Sequence, residues 1–389
     1  MIDGICASPP RVLFGPDAAR HWIDEITRLG DGPVLMHHGR ASAEAAGLLA
    51  RLRAELRAYD VEWVEFGGVS ANPQLALVRE GVSLCRDLRV DRILAVGGGS
   101  VIDSAKAIAA GACFDGDVLA LMTGAAPIVG ALPICAMPTV AGAGSESSPA
   151  AVITDPARSL KIDFASEHLR PRIAVLDPTL TLGLDGAATL AGAFDASCHL
   201  LERYFSNTEH TDCSDRLIEA LLLTLLDCVQ AVPERLGDYA LRAELMWACK
   251  LAQDDFIGLG RKQDWASHAI AHAIGGRFDV AHGPLVTVVM IGWMKTVCAR
   301  NPLRFVQFGR RVLDLPIGPD TAAAAVDAFE RRVAASGMPT RLSALGITLD
   351  DEAIDRIANL CARRNPSGTI GNFVRLTADD VGAILATAR

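Results

Sequence analysis

Asp195 and His199 stand four residues apart in GAFDASCHLLERYF, and His268 and His272 repeat the spacing in DWASHAIAHAIGG, with His282 following in VAHG. In a helix, residues i and i+4 lie one above the other, so each pair predicts two side chains pointing the same way. A carboxylate with two or three imidazoles suits a borderline divalent ion, Zn(II) or Fe(II). A lone histidine on an apolar face is ordinarily a core residue held by a hydrogen bond, but four of the nine histidines fall in these two segments. Spacing leaves the ligand set open. His268 with His272 is the helical pair, His268 with His282 is equally possible in three dimensions, and a catalytic ion needs only three or four protein ligands.

A second kind of chemistry is suggested by Val96-Gly97-Gly98-Gly99-Ser100-Val101-Ile102-Asp103. Consecutive glycines let a chain turn sharply and approach a ligand without a Cβ in the way. A helix start that follows offers unpaired N–H groups and the positive end of a dipole, which suits a diphosphate. The run departs from the G-x-G-x-x-G fingerprint because Ile102 occupies the sixth position, and alone it is equally a tight strand-to-helix turn. The segment Pro138 to Ser147 adds hydroxyls and bare backbone after another apolar run. His37-His38-Gly39-Arg40 follows the first strand candidate, where an acid usually holds the ribose hydroxyls of NAD and repels a 2′-phosphate. The nearest acid is Glu44, and Arg40 with two histidines occupies the turn; these charges favour NADP(H), with NAD(H) as the alternative.

The elements that must position these groups fall into two patterns. Val34-Leu35-Met36, Val61 to Phe66 and Arg92 to Val96 read as strands, separated by helical periods over Ala41 to Tyr59, Leu75 to Leu88 and Ser104 to Ala112. Such alternation implies parallel strands with crossover helices. Beyond LDPTLTLGL (176–184), Leu217 to Val232, Ala240 to Leu259, Ala322 to Ser336 and Asp351 to Arg363 carry apolar residues at i, i+3 and i+4. The expected division is an α/β domain over 1–185, a Rossmann-like parallel sheet for the dinucleotide, and an all-α metal-binding domain over 186–389.

A length of 389 residues gives a prior of about two domains, and 50% hydrophobic with 21% charged residues excludes a disordered chain. A net charge of −9 with no basic run longer than a pair argues against nucleic acid. The longest apolar run, Pro284 to Met294, is too short to span a bilayer, and the N-terminal residues lack a signal-peptide pattern. Ten scattered cysteines without a CxxC pair fit reduced thiols, hence a cytoplasmic setting.

GGGSVID, AGAGSE, LDPTLT, the D-x-x-x-H of 195–199 and the H-x-x-x-H-x9-H-G of 268–283 occur in that order. Over nearly the whole chain this pattern resembles the iron-containing (group III) alcohol dehydrogenases. FGGVSANP (66–73), QDWASH (263–268) and LRPRIAVLDPTLT (169–181) are most similar to the NADPH-dependent aldehyde reductase and butanol dehydrogenase branch. The resemblance implies a dehydroquinate synthase-like fold and metal ligands Asp195, His199, His268 and His282, with His272 facing nicotinamide and substrate. It implies Gly39 and Arg40 near the adenosine phosphate, Asn72 at the adenosine end, and Gly97, Gly98, Gly99 and Ser100 on the diphosphate. Asp103, Thr139, Gly142 and Ser147 would line the nicotinamide side, and Lys161 would be a further contact. The branch usually carries a Gly-Gly-Ser type turn where this chain has His37-His38-Gly39.

The implied activity is interconversion of aldehydes and primary alcohols, chiefly NADPH-driven aldehyde reduction, by a homodimer. Asp195 and His268 serve it through the ion, and His272 passes a proton. A glycerol-type polyol dehydrogenase is the neighbouring alternative. A dehydroquinate-synthase-like lyase would need more cations near the metal motifs than Arg203, Arg261, Lys262 and Arg277. A non-catalytic dinucleotide-binding protein would have no use for all four ligands.

Overall fold

The computed structural model describes residues 2, 10–40, 47–158, 160–363 and 365–389. Six strands, β1 (Arg11–Phe14), β2 (Val34–Gly39), β3 (Trp63–Val69), β4 (Arg92–Gly97), β5 (Ile134–Pro138) and β8 (Ile173–Leu176), form one sheet in the order β1-β8-β5-β4-β2-β3. Every pairing in it is parallel. Strands β6 (Ala150–Asp155) and β7 (Leu160–Ala165) make a separate antiparallel pair.

Parallel strands linked by helices are covered on both faces, so their residues are apolar without alternation. All six residues of β4 are buried. Alternate side chains go to opposite layers: Leu35, Ile93, Ala95 and Ala136 pack against the helices Leu75–Asp87 and Gly99–Ala112. Val34, Met36, Leu94, Val96 and Met137 pack on the other side with Trp22, Leu49, Leu52 and Leu56.

The helical reading of 41–59 is met by Leu48–Ala58, residues 41–46 lying outside the described residues. The helix expected to begin at Ser104 begins at Gly99, with Gly98 as its N-cap. Strand β3 runs on through Gly67 and Gly68 to Val69, and the helix expected over 240–259 stops at Gln253 and restarts at Asp255.

The compact units do not follow a single cut of the chain. One comprises residues 10–185 together with Arg235–Asp254; the other comprises Gly186–Glu234 and Asp255–Arg389. The helix Tyr239–Gln253 goes with the sheet because Met246 packs on Ala174 and Leu176 of β8, and Trp247 meets the Phe14 ring at 5.4 Å. The Arg242 guanidinium donates to the carbonyl of Leu184 at 2.9 Å, adding a polar tie. In the helical unit, His282–Val297 is buried on nearly every side. The apolar run from Pro284 is thus a core helix, and no described helix is long and apolar enough to cross a membrane.

His37 and His38 lie inside β2 and not at the turn after it. His37 is fully buried, its Nδ1 2.7 Å from the Phe66 carbonyl and its Nε2 2.9 Å from Ser104 Oγ. Burial lowers its pKa from 6.5 to about 4, outweighing the Phe66 hydrogen bond that acts the other way. The folded chain therefore binds this proton less readily than the unfolded chain. Stability due to His37 is complete above pH 6.5 and drains away as pH falls toward 4, by about 3 kcal/mol in all. Denaturant unfolding between pH 7 and 4 should show a steeper loss in the native protein than in His37→Gln. Parallel curves would contradict this account.

Candidate metal centre and dinucleotide loop

Asp195 and His199 lie on the helix Gly186–Tyr204, whose last sixteen residues are almost all buried. His268 and His272 share the ten-residue helix Ala266–Gly275, and His282 is the first residue of His282–Val297. The approach of the last helix depends on Gly283. A Cβ there would stand 2.3 Å from the Ala191 carbonyl oxygen, so only a glycine lets the start of this helix sit against the backbone carrying Asp195.

These three helices converge on one carboxylate oxygen. Asp195 Oδ1 is 3.8 Å from His199 Nε2, 3.9 Å from His268 Nε2 and 3.6 Å from His282 Nε2. Those gaps are too long for hydrogen bonds. Ligands about 2.0–2.2 Å from a shared tetrahedral ion are separated by roughly 3.3–3.6 Å, close to what is seen. Asp195, His268 and His282 each offer a ligand atom, all within 4.8 Å of one another. His199 adjoins them, its ring stacked on that of His268 at 4.8 Å. The His268 Nε2 atom is buried and makes no hydrogen bond. Such an enclosed lone pair is costly unless something fills its place, and a cation fits the donor set.

Burial, reinforced by His268, Arg203 and His282, holds the pKa of His199 well below its usual value. It is neutral at physiological pH, the state a metal ligand needs. His272 sits at the edge: half-buried, its ring 5.2 Å from that of His282 and 6.3 Å from that of His268. It is outside the close ligand group, so the His268/His272 pair that spacing allowed does not form its core. Arg203 stacks over Trp265 at 4.8 Å, and Arg261 is buried against Asp215 at 2.7 Å. Neither is disposed to grip a phosphorylated sugar acid.

Sequence reasoning missed Glu202, on the same helix as Asp195 and His199. Its carboxylate accepts from the backbone amides of Trp265 at 2.8 Å and His268 at 3.1 Å, and lies 3.1 Å from His268 Nδ1. The signal was available, since positions 195, 199 and 202 follow the i, i+4, i+7 rule for one helical face.

In the sheet unit, Gly97 to Ser100 carry the chain from β4 into the helix Gly99–Ala112. A Cβ at Gly97 would meet Val101 at 2.5 Å, and one at Gly99 would meet Ala143 at 2.9 Å, so packing already demands both glycines. Gly98 differs: its φ of −75° suits any residue, and a Cβ would find nothing nearer than 3.7 Å. No side chain caps the helix at that point. Ser100 Oγ donates to the Ala71 carbonyl at 2.5 Å, and the Thr139 amide donates to the Gly97 carbonyl at 3.0 Å. These bonds draw the three loops of Asn72, Gly98 and Thr139 together at the ends of β3, β4 and β5.

Lys161 Nζ donates to Asn72 Oδ1 at 3.0 Å, both largely buried. Asp103 accepts from Ser145 Oγ at 2.5 Å and the Val152 amide at 3.0 Å. It thereby anchors the 142–147 segment to its own helix. Gly142 and Ser147 are buried, Ser147 completely, which leaves the Ser147 side chain no open face for a nucleotide. Gly39 ends β2 half-buried, and Arg40 follows it, exposed.

A parallel α/β unit with this turn, and a helical unit gathering one carboxylate with three imidazoles, define the class of two-unit dehydrogenases of the metal-dependent type. The model of the iron-containing alcohol dehydrogenase matches residues 9–178, and that of the C-terminal part of the same family matches residues 189–389. The chain therefore belongs to the iron-containing alcohol dehydrogenase family and is an NAD(P)-linked alcohol dehydrogenase acting on alcohols and aldehydes. The NADH-dependent butanol dehydrogenase A of Clostridium acetobutylicum is 33% identical over 96% of both chains. The NADPH-dependent aldehyde reductase YqhD of Escherichia coli is 32% identical over 87% of this chain and 88% of its own. The crystal structure of NADH-dependent butanol dehydrogenase A from Thermotoga maritima superposes with a TM-score of 0.95, at 32% identity over 100% of this chain and 99% of the other.

The close approach at Gly283 gives a direct test of what holds the ligands together. Gly283→Ala forces its methyl group against the Ala191 carbonyl. It should cost about 1–3 kcal/mol in denaturant unfolding and weaken metal uptake in equilibrium dialysis. A variant as stable and as metal-avid as the native protein would show that this contact is slack.

Proposed function

We propose that the chain reduces aldehydes to primary alcohols with NADPH, using one divalent ion, Fe(II) or Zn(II), held by Asp195, His199, His268 and His282. The observation carrying this reading is the convergence of three imidazole Nε2 atoms, 3.6 to 3.9 Å from a single Asp195 oxygen, where three helices meet. One carboxylate and three imidazoles accept either metal. When bound, the ion draws electron density from the carbonyl oxygen and the reduced nicotinamide supplies the hydride.

The protein's own groups do the rest. Asp195 supplies a single negative charge, so the site keeps a net positive charge once loaded. His199 stays neutral through burial and spends no charge of its own. His272, half-exposed beside His282, delivers a proton to the substrate oxygen, so that hydride on carbon and proton on oxygen balance as an alcohol. Cys198, one residue before the ligand His199, is unsuited to covalent catalysis, because burial pushes its thiol far above its usual pKa.

In the sheet unit, Gly98 leaves room for a diphosphate at an uncapped helix start, with Gly97, Gly99 and Ser100 shaping the turn. Asn72, held by Lys161, and Thr139 border the same strand ends. Asp103 acts by anchoring the 142–147 segment. Arg40 next to Gly39 supports a choice of NADPH, and Glu65 on the neighbouring strand is engaged by Arg53 at 2.8 Å. Within the same reading the enzyme works as a homodimer, as the family resemblance implies, in the cytoplasm that its scattered cysteines suit.

Asp195→Ala and His268→Ala should each lower aldehyde reduction by about a thousandfold or more, while fluorescence titration finds NADPH binding intact. Activity surviving in a metal-stripped variant would remove the ion from the chemistry. For cofactor choice, kcat/KM should favour NADPH over NADH, and Arg40→Ala should narrow that preference about tenfold, the worth of one charge-assisted hydrogen bond. An unchanged ratio would take Arg40 out of the account.

A further inference from the structure

We propose that Glu202 is a positioning residue for the metal centre: it fixes His268 as an Nε2 ligand by taking the proton on its Nδ1. This inference rests on the reading of Asp195, His199, His268 and His282 as the ligand set.

The Glu202 side chain is completely buried. A buried carboxylate is tolerated only where donors surround it, and here three do. The backbone amides of Trp265 and His268 reach its two oxygens at 2.8 and 3.1 Å, and His268 Nδ1 lies 3.1 Å from Oε1. An ionised carboxylate only accepts, so the third contact places the Nδ1 proton of His268 toward Glu202. In the neutral form that a metal ligand must take, the opposite nitrogen then carries the lone pair. That atom, Nε2, is enclosed, makes no hydrogen bond and lies on the Asp195 side of the ring. A carboxylate behind a ligand imidazole both fixes the tautomer and raises its basicity.

The carboxylate also controls where the ring stands. Trp265 precedes the helix Ala266–Gly275 with φ of +66°, a conformation that bulky residues rarely hold unaided. Its amide is bound by Glu202, its indole donates to Gln263 at 2.8 Å, and the Arg203 guanidinium covers its ring. Glu202 thus pins the start of the helix that presents His268. Asp195, His199 and Glu202 occupy successive turns of Gly186–Tyr204, so that one helix face supplies two ligands and aligns a third.

A merely structural cap and a ligand-orienting carboxylate differ in what they do to the metal. Zn(II) and Co(II) affinities should be measured by competition with a chelator on native protein, Glu202→Gln and Glu202→Asp. Glu202→Gln keeps size and one acceptor oxygen, and the inference expects affinity to fall about 10- to 100-fold. The rise in Tm on adding Zn(II) should shrink in step, and the Co(II) absorption bands should shift. Glu202→Asp, which keeps the charge, should recover part of the affinity. Should Glu202→Gln fail to fold, nitrogen NMR on histidine-labelled native protein decides: His268 must show a protonated Nδ1 and a metal-dependent Nε2 resonance. Native protein that takes up no metal would sink the functional reading itself. Native protein that binds metal, with Glu202→Gln binding equally well or His268 protonated on Nε2, would overturn this inference alone.

Discussion

The helical unit is organised around one carboxylate gathered with three imidazoles. Asp195 Oδ1 faces three imidazole nitrogens at distances where none can donate to it properly. Enclosing a carboxylate costs several kcal/mol unless opposite charge or good donors answer it, and a divalent ion held among these side chains would supply that charge. The surrounding structure is committed to the arrangement. Helix His282–Val297 is seated against the Ala191 backbone through a position where only glycine fits. The neighbouring aromatic cluster of Phe205, Trp293, Phe305 and Phe373, with ring centroids 4.4 to 6.2 Å apart, gives that helix a rigid bed. A stable fold that pays no attention to a ligand would resolve such a knot with apolar side chains.

Part of this is legible in the sequence. An Asp/His pair and a His/His pair, each four residues apart, declare a shared helical face irrespective of tertiary context, and both pairs lie on helices as spacing requires. Spacing alone left open which imidazoles join Asp195, because the turn between Gly275 and His282 decides whether His272 or His282 swings toward it; only the family resemblance named His282. Glu202 went unnoticed because a glutamate near the end of a helix reads as solvated surface; only the start of the helix Ala266–Gly275, more than sixty residues on, reveals what it binds.

The sheet unit shows the complementary pattern. Strand β4 and its glycine end were plain from the apolar run, whereas the helix start was displaced by five residues. Glycine and β-branched residues weigh against a helix locally, but here burial of Val101 and Ile102 against the sheet overrides that preference. His37 is a similar case. Two histidines beside an arginine suggest a charged turn, yet tertiary packing takes the first of them into the core as a neutral bridge between Phe66 and Ser104. The helix Tyr239–Gln253 joined the sheet unit for a reason no local pattern carries, namely the Met246 and Trp247 contacts with β8 and β1.

The three consecutive glycines show how a structural demand and a functional one can share a motif. Gly97 and Gly99 are fixed by Val101 and Ala143, whose side chains occupy the space a Cβ would take. Had all three been accounted for in this way, the turn would speak only for tight packing. Gly98 is the exception, since a Cβ there would meet only Val140, at an ordinary contact distance of 3.7 Å, and its backbone needs no special residue. A glycine unexplained by its own fold, placed at an uncapped helix start, is best explained by something that arrives later and needs the backbone bare. The middle glycine therefore speaks for a phosphate-bearing cofactor, and the motif's length matters less than that one position where packing does not require glycine.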